Sequence, residues 1–432
     1  MSPDLVGIVG MAALVIMIGA RIPVAVALGL VGLVGYAALE GWQKAGLVFG
    51  AVPLEMSSAY TLSVVPLFVL MGALASTAGL STDLFRAANV AFRGARGSLA
   101  MAAIGASAAF GAVCGSSVAT AATMGKVSIP EMIRAGYSQT LAAGSVAAGG
   151  TLGILIPPSL ILMIYAIIAQ QSVAKLFAAA LIPGVILTAL YLLVAAIMVR
   201  VRPDMAPRLP VETGRESARA LLRVWHVLLL FGVTLGGIYL GWFSPTEAAA
   251  VGAFGALALG LGLRRIGTRQ ALGNFTETVR ITATLTIIVM GSIIFSYFVV
   301  QTAIAKNIVE WIAALGIGRI GVMSALVVLY IVLGCFLEGI GMVLVTVPIL
   351  LPLVTANGFD PVWFGVLLVI VVEIGLIHPP MGMNLFVLRA QAPDIGLSAM
   401  YWGVLPFLAA PFLLIVLLIA FPGIALWLPG QI

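Results

Sequence analysis

The sequence predicts an all-α polytopic membrane protein, built as an inverted repeat with two re-entrant hairpins and two broken helices. Three observations lead there. Of the 432 residues, 62% are hydrophobic and only 8% charged, whereas soluble domains carry about 25% charged residues. A pair of prolines occurs twice, in "GILIPPS" from Gly153 and again, in the same setting, in "GLIHPPM" from Gly375. The lysines and arginines fall mainly in segments that a single folding pattern places on one side of the bilayer.

Apolar runs near twenty residues long recur along the chain, which suits spanning helices rather than the short alternating strands of a barrel. The 49 glycines suit close helix packing. The formal charge of +6 does not indicate nucleic acid, because in a membrane protein the side on which Lys and Arg lie is the informative quantity. Cys114 and Cys335 lie in apolar runs and form no disulfide framework or CxxC spacing.

The offset that carries Gly153 to Gly375 and Pro157 to Pro379 also joins Pro130 to Pro352, Pro23 to Pro245, Gly94 to Gly316 and Gly19 to Gly241. A constant offset across the chain reads as an internal repeat, giving halves 1–199 and 224–432 around the basic linker 200–223, "RVRPDMAPRLPVETGRESARALLR". In the first half, helices are expected at about 4–20 and 22–39. The N-terminal run lacks a basic n-region and an A-x-A site, so it reads as a spanning helix. The mixed stretch 40–60, with Glu40, Trp42, Lys44 and Glu55, is expected along the interface. A helix at about 62–80 then leads to the basic loop "DLFRAANVAFRGARGS".

Residues 99–130 are expected to dip into the membrane and return. Arg93 and Arg96 precede them and Lys126 and Arg134 follow, which favours entry and exit on one side. The Gly115-Ser116-Ser117 tip breaks a helix readily. A broken helix at about 139–171 and a last helix at about 177–198 complete the half. In the second half the hairpin falls at about 321–352, with Glu338-Gly339-Ile340 at its tip, and the broken helix at about 361–392. Each half then makes an odd number of crossings, so the halves face opposite ways. With both termini outside, 17 of the 21 lysines and arginines lie inside, leaving Lys44, Lys175, Lys306 and Arg319 outside.

Proline removes a backbone donor and clashes with the preceding turn, so each Pro-Pro leaves half-helix ends within the membrane. Such ends present positive dipole termini to an anion and free carbonyls to a cation, an arrangement found in secondary transporters. Serine hydroxyls and carbonyls are hard oxygen ligands, suited to Na⁺. Glu338 and Glu373 are carboxylates in apolar runs, which are costly and usually functional. His226 begins a helix beside the linker and reads as interfacial. An enzyme is disfavoured: "GASAAFG" lacks the setting of a nucleophile elbow, only two histidines could act as a base, and no HExxH motif occurs. A passive channel is the nearer alternative, because broken helices also build pores.

Three motifs carry a resemblance that covers nearly the whole chain: "FGAVCGSSVATAATMGKVSIPEMIRAGYS", "GGTLGILIPPSLILMIYA" and "FLEGIGMVLVTVPILLPLV…FGVLLVIVVEIGLIHPPMGMNLFV". The sequence resembles the large membrane subunit of tripartite ATP-independent periplasmic (TRAP) transporters, the DctM-like family. The resemblance implies scaffold and transport domains with elevator-type motion, and Na⁺-coupled import of an organic acid anion such as a C4-dicarboxylate, sialic acid or sugar acid. It also implies a bacterial inner-membrane location, a small four-helix membrane subunit and a periplasmic substrate-binding protein. Matched to it, Gly115, Ser116, Ser117, Gly339, Gly153, Pro157, Gly375, His378 and Pro379 are the cation-binding candidates. Ser116, Pro158, Ser159, Glu338, Pro380, Gly382 and Asn384 are the substrate-binding candidates. His378 stands where family members usually carry threonine. Imidazole is a poor Na⁺ ligand but takes a proton near neutral pH, so H⁺ joins Na⁺ as a possible coupling ion.

Overall fold

A computed structural model describes residues 2–208, 220–302, 304–314, 316–334, 337–379 and 382–432. The first half forms α1 (Pro3–Gly19), α2 (Val24–Glu40), α3 (Trp42–Ser58), α4 (Val64–Thr77), α5 (Leu80–Phe92), α6 (Ser98–Cys114), α7 (Ser117–Arg134), α8 (Gln139–Leu155), α9 (Leu160–Ile168) and α10 (Val173–Val201). The second forms α11 (Trp225–Tyr239), α12 (Pro245–Gly262), α13 (Thr268–Thr302), α14 (Ile304–Ala314), α15 (Arg319–Gly334), α16 (Gly339–Ala356), α17 (Pro361–Ile377), α18 (Met383–Gln391), α19 (Leu397–Ala420) and α20 (Gly423–Leu426). Among the described residues, seven helical stretches are long and apolar enough to cross a membrane, or eight if the bent α4–α5 pair counts as one.

The helix starts recur at the spacing seen in the prolines. The offset from Pro157 to Pro379 is also the offset from the start of α7 to that of α16, and from the start of α8 to that of α17. One difference between the halves lies in the helix that precedes the bend. α13 is continuous over 35 residues, whereas α3 and α4 are separated by a short turn at Tyr60–Ser63. No proline lies between Thr268 and Thr302, while Pro66 sits in the first turn of α4, where its missing N–H costs nothing and the chain before it must leave the helix.

One expectation changes. The basic stretch 83–98 is not all loop, because α5 occupies most of it. Its buried side chains Leu80, Leu84, Phe85 and Ala87 recur at helical spacing, and Arg86 on the other face is exposed. The stretch 40–60 forms α3, a helix that buries Ala45, Val52 and Met56 and leaves Trp42, Leu47 and Leu54 exposed.

At the centre lies α8, buried from Leu141 to Leu155 and packed against α6, α7 and α19. Its alanines and glycines permit this approach, since a methyl on Gly144 would overlap the carbonyl of Gly403 in α19. α17, buried from Val362 to Ile377, packs on α8, α10 and α19. Towards the outside, α2 lies along α13, and α12 lies along α4.

Candidate functional site

The first element of the site is the turn between α6 and α7. Gly115 ends α6 with φ +68°, a conformation open to glycine, and its N–H donates to Gly111 O at 2.8 Å. Ser116 is extended and caps α7 by accepting the N–H of Ala119 at 3.4 Å. This turn abuts the first Pro-Pro break. Leu160 N–H donates to Gly115 O at 3.2 Å, and a Cβ on Gly115 would lie 2.7 Å from Pro158 O. A Cβ on Gly153 would lie 2.5 Å from Thr120 Oγ1 and 2.9 Å from Ser116 O.

One orphaned carbonyl of the break is served by a side chain. In an unbroken helix Ile154 O would accept the N–H of residue 158, which proline lacks. Ser159 Oγ donates to Ile154 O in its place and also caps α9 through Leu162 N–H at 3.3 Å. The Pro157–Pro158 bond is cis. One serine thus serves the carbonyl left before the break and the amide left after it.

The second break is built differently. α17 ends at Ile377. His378, half-buried, donates its N–H to Ile374 O at 2.8 Å, and its carbonyl accepts the N–H of Gly382 at 3.0 Å. Pro379 is half-buried, and Pro380 lies outside the described residues. Gly382 leads into α18, where Asn384 is fully buried. Asn384 Nδ2 donates to Ser117 Oγ at 2.7 Å. The first turn and the second break are therefore directly bonded, although 267 residues separate them in sequence. Gly375 packs backbone to backbone on Gly334, its Cβ position 3.0 Å from Gly334 Cα. At the second turn, a Cβ on Gly339 would lie 2.7 Å from Val372 Cγ1 and 3.4 Å from Ile161 Cδ1, so this turn meets α17 and α9. Glu338 precedes it with its side chain exposed.

Gly115, Ser117, Gly153, Pro158 and Asn384 thus carry the contacts that join the first turn to the breaks, and Gly339 packs on α17 and α9. Pro157 and Ser159 belong to the first break, and Ser116 to the first turn. Glu338 and His378 stand on the accessible side. Two buried groups at these contacts lack nitrogen or oxygen partners, Thr120 Oγ1 and Asn384 Oδ1, and so does the Glu373 carboxyl in α17. Thr120 was not distinguished by the sequence motifs, although it lies one turn after Ser116 on the same helix face. His226, at the start of α11, is buried within the protein. It is 2% exposed, with Nε2 3.4 Å from Asp83 Oδ2.

The model of the tripartite ATP-independent periplasmic transporter, DctM component, matches residues 10–424. The chain belongs to the DctM family. Among its relatives, the C4-dicarboxylate TRAP transporter large permease protein DctM of Pseudomonas aeruginosa is 36% identical, over 87% of this chain and 88% of that protein. The sialic acid TRAP transporter large permease protein SiaM of Vibrio cholerae is 34% identical, over 86% of each. The isethionate TRAP transporter permease protein DctMQ of Oleidesulfovibrio alaskensis is 30% identical over 98% of this chain, which spans 66% of that longer protein. In solved structures the DctM-family fold is similar to the Alcanivorax borkumensis YdaH transporter, with TM-score 0.63 and 16% identity over 89% of both chains. It is also similar to Neisseria gonorrhoeae MtrF, with TM-score 0.62 and 16% identity over 90% of this chain and 85% of that one. The relatives are transporter permeases, and this chain is a polytopic membrane protein of the same family.

Proposed function

We propose that this permease is the large membrane subunit of a binding-protein-dependent secondary transporter that imports an organic acid anion together with Na⁺. The observation that carries the reading is the buried Asn384–Ser117 hydrogen bond, which couples the turn of one half to the break of the other. A solute held there would touch both halves, as the inverted-repeat arrangement requires. The recurrence of helix starts at the spacing of the Pro-Pro pairs supports two repeats, and the charge distribution supports opposed orientations with periplasmic termini in a bacterial inner membrane. The solute is a carboxylate or sulfonate of the class named for the relatives, C4-dicarboxylate, sialic acid or isethionate. A periplasmic binding protein delivers it, and a small membrane subunit, which the longer DctMQ relative suggests can be fused to the permease, completes the complex.

The cation has a physical purpose. Moving one net charge across the membrane is worth about 2.3 kcal/mol per 100 mV, so a bare carboxylate enters against the potential. Sodium ions at the turns, on Ser116, Ser117 and neighbouring carbonyls, offset that charge. The two turn–break units then travel together as a transport domain of the elevator type. Uptake into proteoliposomes holding permease, small subunit and binding protein tests the reading. Ser116→Ala and Ser117→Ala are expected to weaken the Na⁺ dependence, and unchanged Na⁺ dependence in both would remove the site. Equilibration of solute with neither a Na⁺ gradient nor binding protein would instead identify a channel.

A further inference from the structure

Away from the breaks, a second polar cluster is buried at the elbow between α4 and α5. Asp83 is 4% exposed, and His226 of α11 lies beside it. Arg265, on the turn after α12, reaches in from the other half of the chain. Its Nη1 donates to Asp83 Oδ2 and also to the carbonyl of Ala78 at 3.3 Å. Ala78 and Asp83 flank Gly79, which has φ +73° and marks a bend of 66° between the two helices.

Several features set this cluster apart from an ordinary ion pair. A Cβ on Gly79 would meet nothing within 4 Å, while Ala78 and Leu80 on either side of it are buried. The cluster also ties α5, which packs mainly on α6 and touches α7, to the turn after α12, which packs on α4, while α4 in turn packs on α6. The Asp83–Arg265 pair is not repeated, since the positions that match them in the opposite halves are Ala305 and Gln43. Asp83 is dry but the Arg265 side chain is 30% exposed, so water and headgroups reach one partner and compete for the bond.

The geometry points to a clamp: Arg265 holds the Gly79 elbow to the α4–α12 body, and its bond to Asp83 opens when the α5–α6–α7 arm is displaced. The displacement rests on the transporter reading above; the clamp is a property of the fold.

The native cysteines provide the test. Cys335→Ala leaves Cys114, buried beside the Ser116 turn, as the sole target for a membrane-permeant maleimide, whose reaction rate reports opening of that turn. In the full chain reconstituted in lipid nanodiscs, Asp83→Asn and Arg265→Gln are each expected to raise the rate roughly tenfold or more, the scale set by a hydrogen bond to a charged group. Arg265→Lys, which keeps the charge, should fall between them and the parent. Glu40→Gln, which breaks the exposed Glu40–Lys44 pair, should leave the rate unchanged. Thermal unfolding of each variant separates local opening from loss of fold. Parent-like labelling in folded Asp83→Asn and Arg265→Gln overturns the clamp, as does labelling that rises only in step with unfolding. A parent that takes up no anion under a Na⁺ gradient, while the labelling pattern holds, overturns the transporter reading and leaves the clamp standing.

Discussion

Gly115→Ala tests whether the first turn and the first break are one unit. Two costs act at this position. The left-handed conformation at φ +68° costs a non-glycine residue about 1–2 kcal/mol. The new methyl would also lie 2.7 Å from Pro158 O, a backbone atom that moves only with the break, and such overpacking costs about 1–3 kcal/mol. Gly358 provides the control, because its φ is +72° and a Cβ there would meet nothing within 4 Å. Gly358→Ala therefore carries the backbone cost alone. Reversible unfolding in mixed micelles should find Gly115→Ala the more destabilised by about 1–3 kcal/mol, the overpacking share. Uptake should fall about tenfold or more, since a shift of about 1.4 kcal/mol in the functional arrangement suffices for that. Equal destabilisation by the two substitutions would falsify the contact between turn and break.

Other substitutions probe the same region. Ser159→Ala removes the donor to Ile154 O and the cap of α9 together, and should cost about 2–4 kcal/mol in unfolding measurements. Ser117→Ala and Asn384→Ala each break the bond of 2.7 Å, and a double-mutant cycle should return a coupling of about 0.5–3 kcal/mol; additive effects would show that the bond joins nothing. Thr120→Val keeps the shape and removes a buried hydroxyl that lacks a nitrogen or oxygen partner. Stability should hold or rise while solute or Na⁺ affinity drops, and retained affinity would return Thr120 to packing.

Much of the architecture was legible because proline and glycine report on backbone regardless of environment. The breaks at Pro157–Pro158 and Pro379, and the Gly115 turn, appear where those residues demand them. α5 was harder to see. Its first turn carries Asp83 and its outer face carries Arg86, so the charges masked the apolar spacing of Leu80, Leu84 and Ala87. The Asn384–Ser117 bond lay beyond local reading, because hydrogen-bond partners 267 residues apart leave no mark in sequence periodicity. The same holds for His226. Its neighbour Asp83 comes from another helix, so nothing in the residues around position 226 could place it.

The two breaks solve the loss of a proline's donor in unlike ways, and the difference bears on function. At the first, Ser159 donates to Ile154 O, the carbonyl that Pro158 cannot serve, and also caps α9. Across from it, Asn384 commits its amide N–H to Ser117, while its carbonyl and the Thr120 hydroxyl are buried without nitrogen or oxygen partners. Buried polar atoms are normally satisfied, and each exception costs about 1–3 kcal/mol. A fold that needed only stability would have replaced them with apolar groups of the same shape. On the proposed function, an ion or solute bound beside this turn of hydroxyls and carbonyls would give the Asn384 carbonyl and the Thr120 hydroxyl their partners.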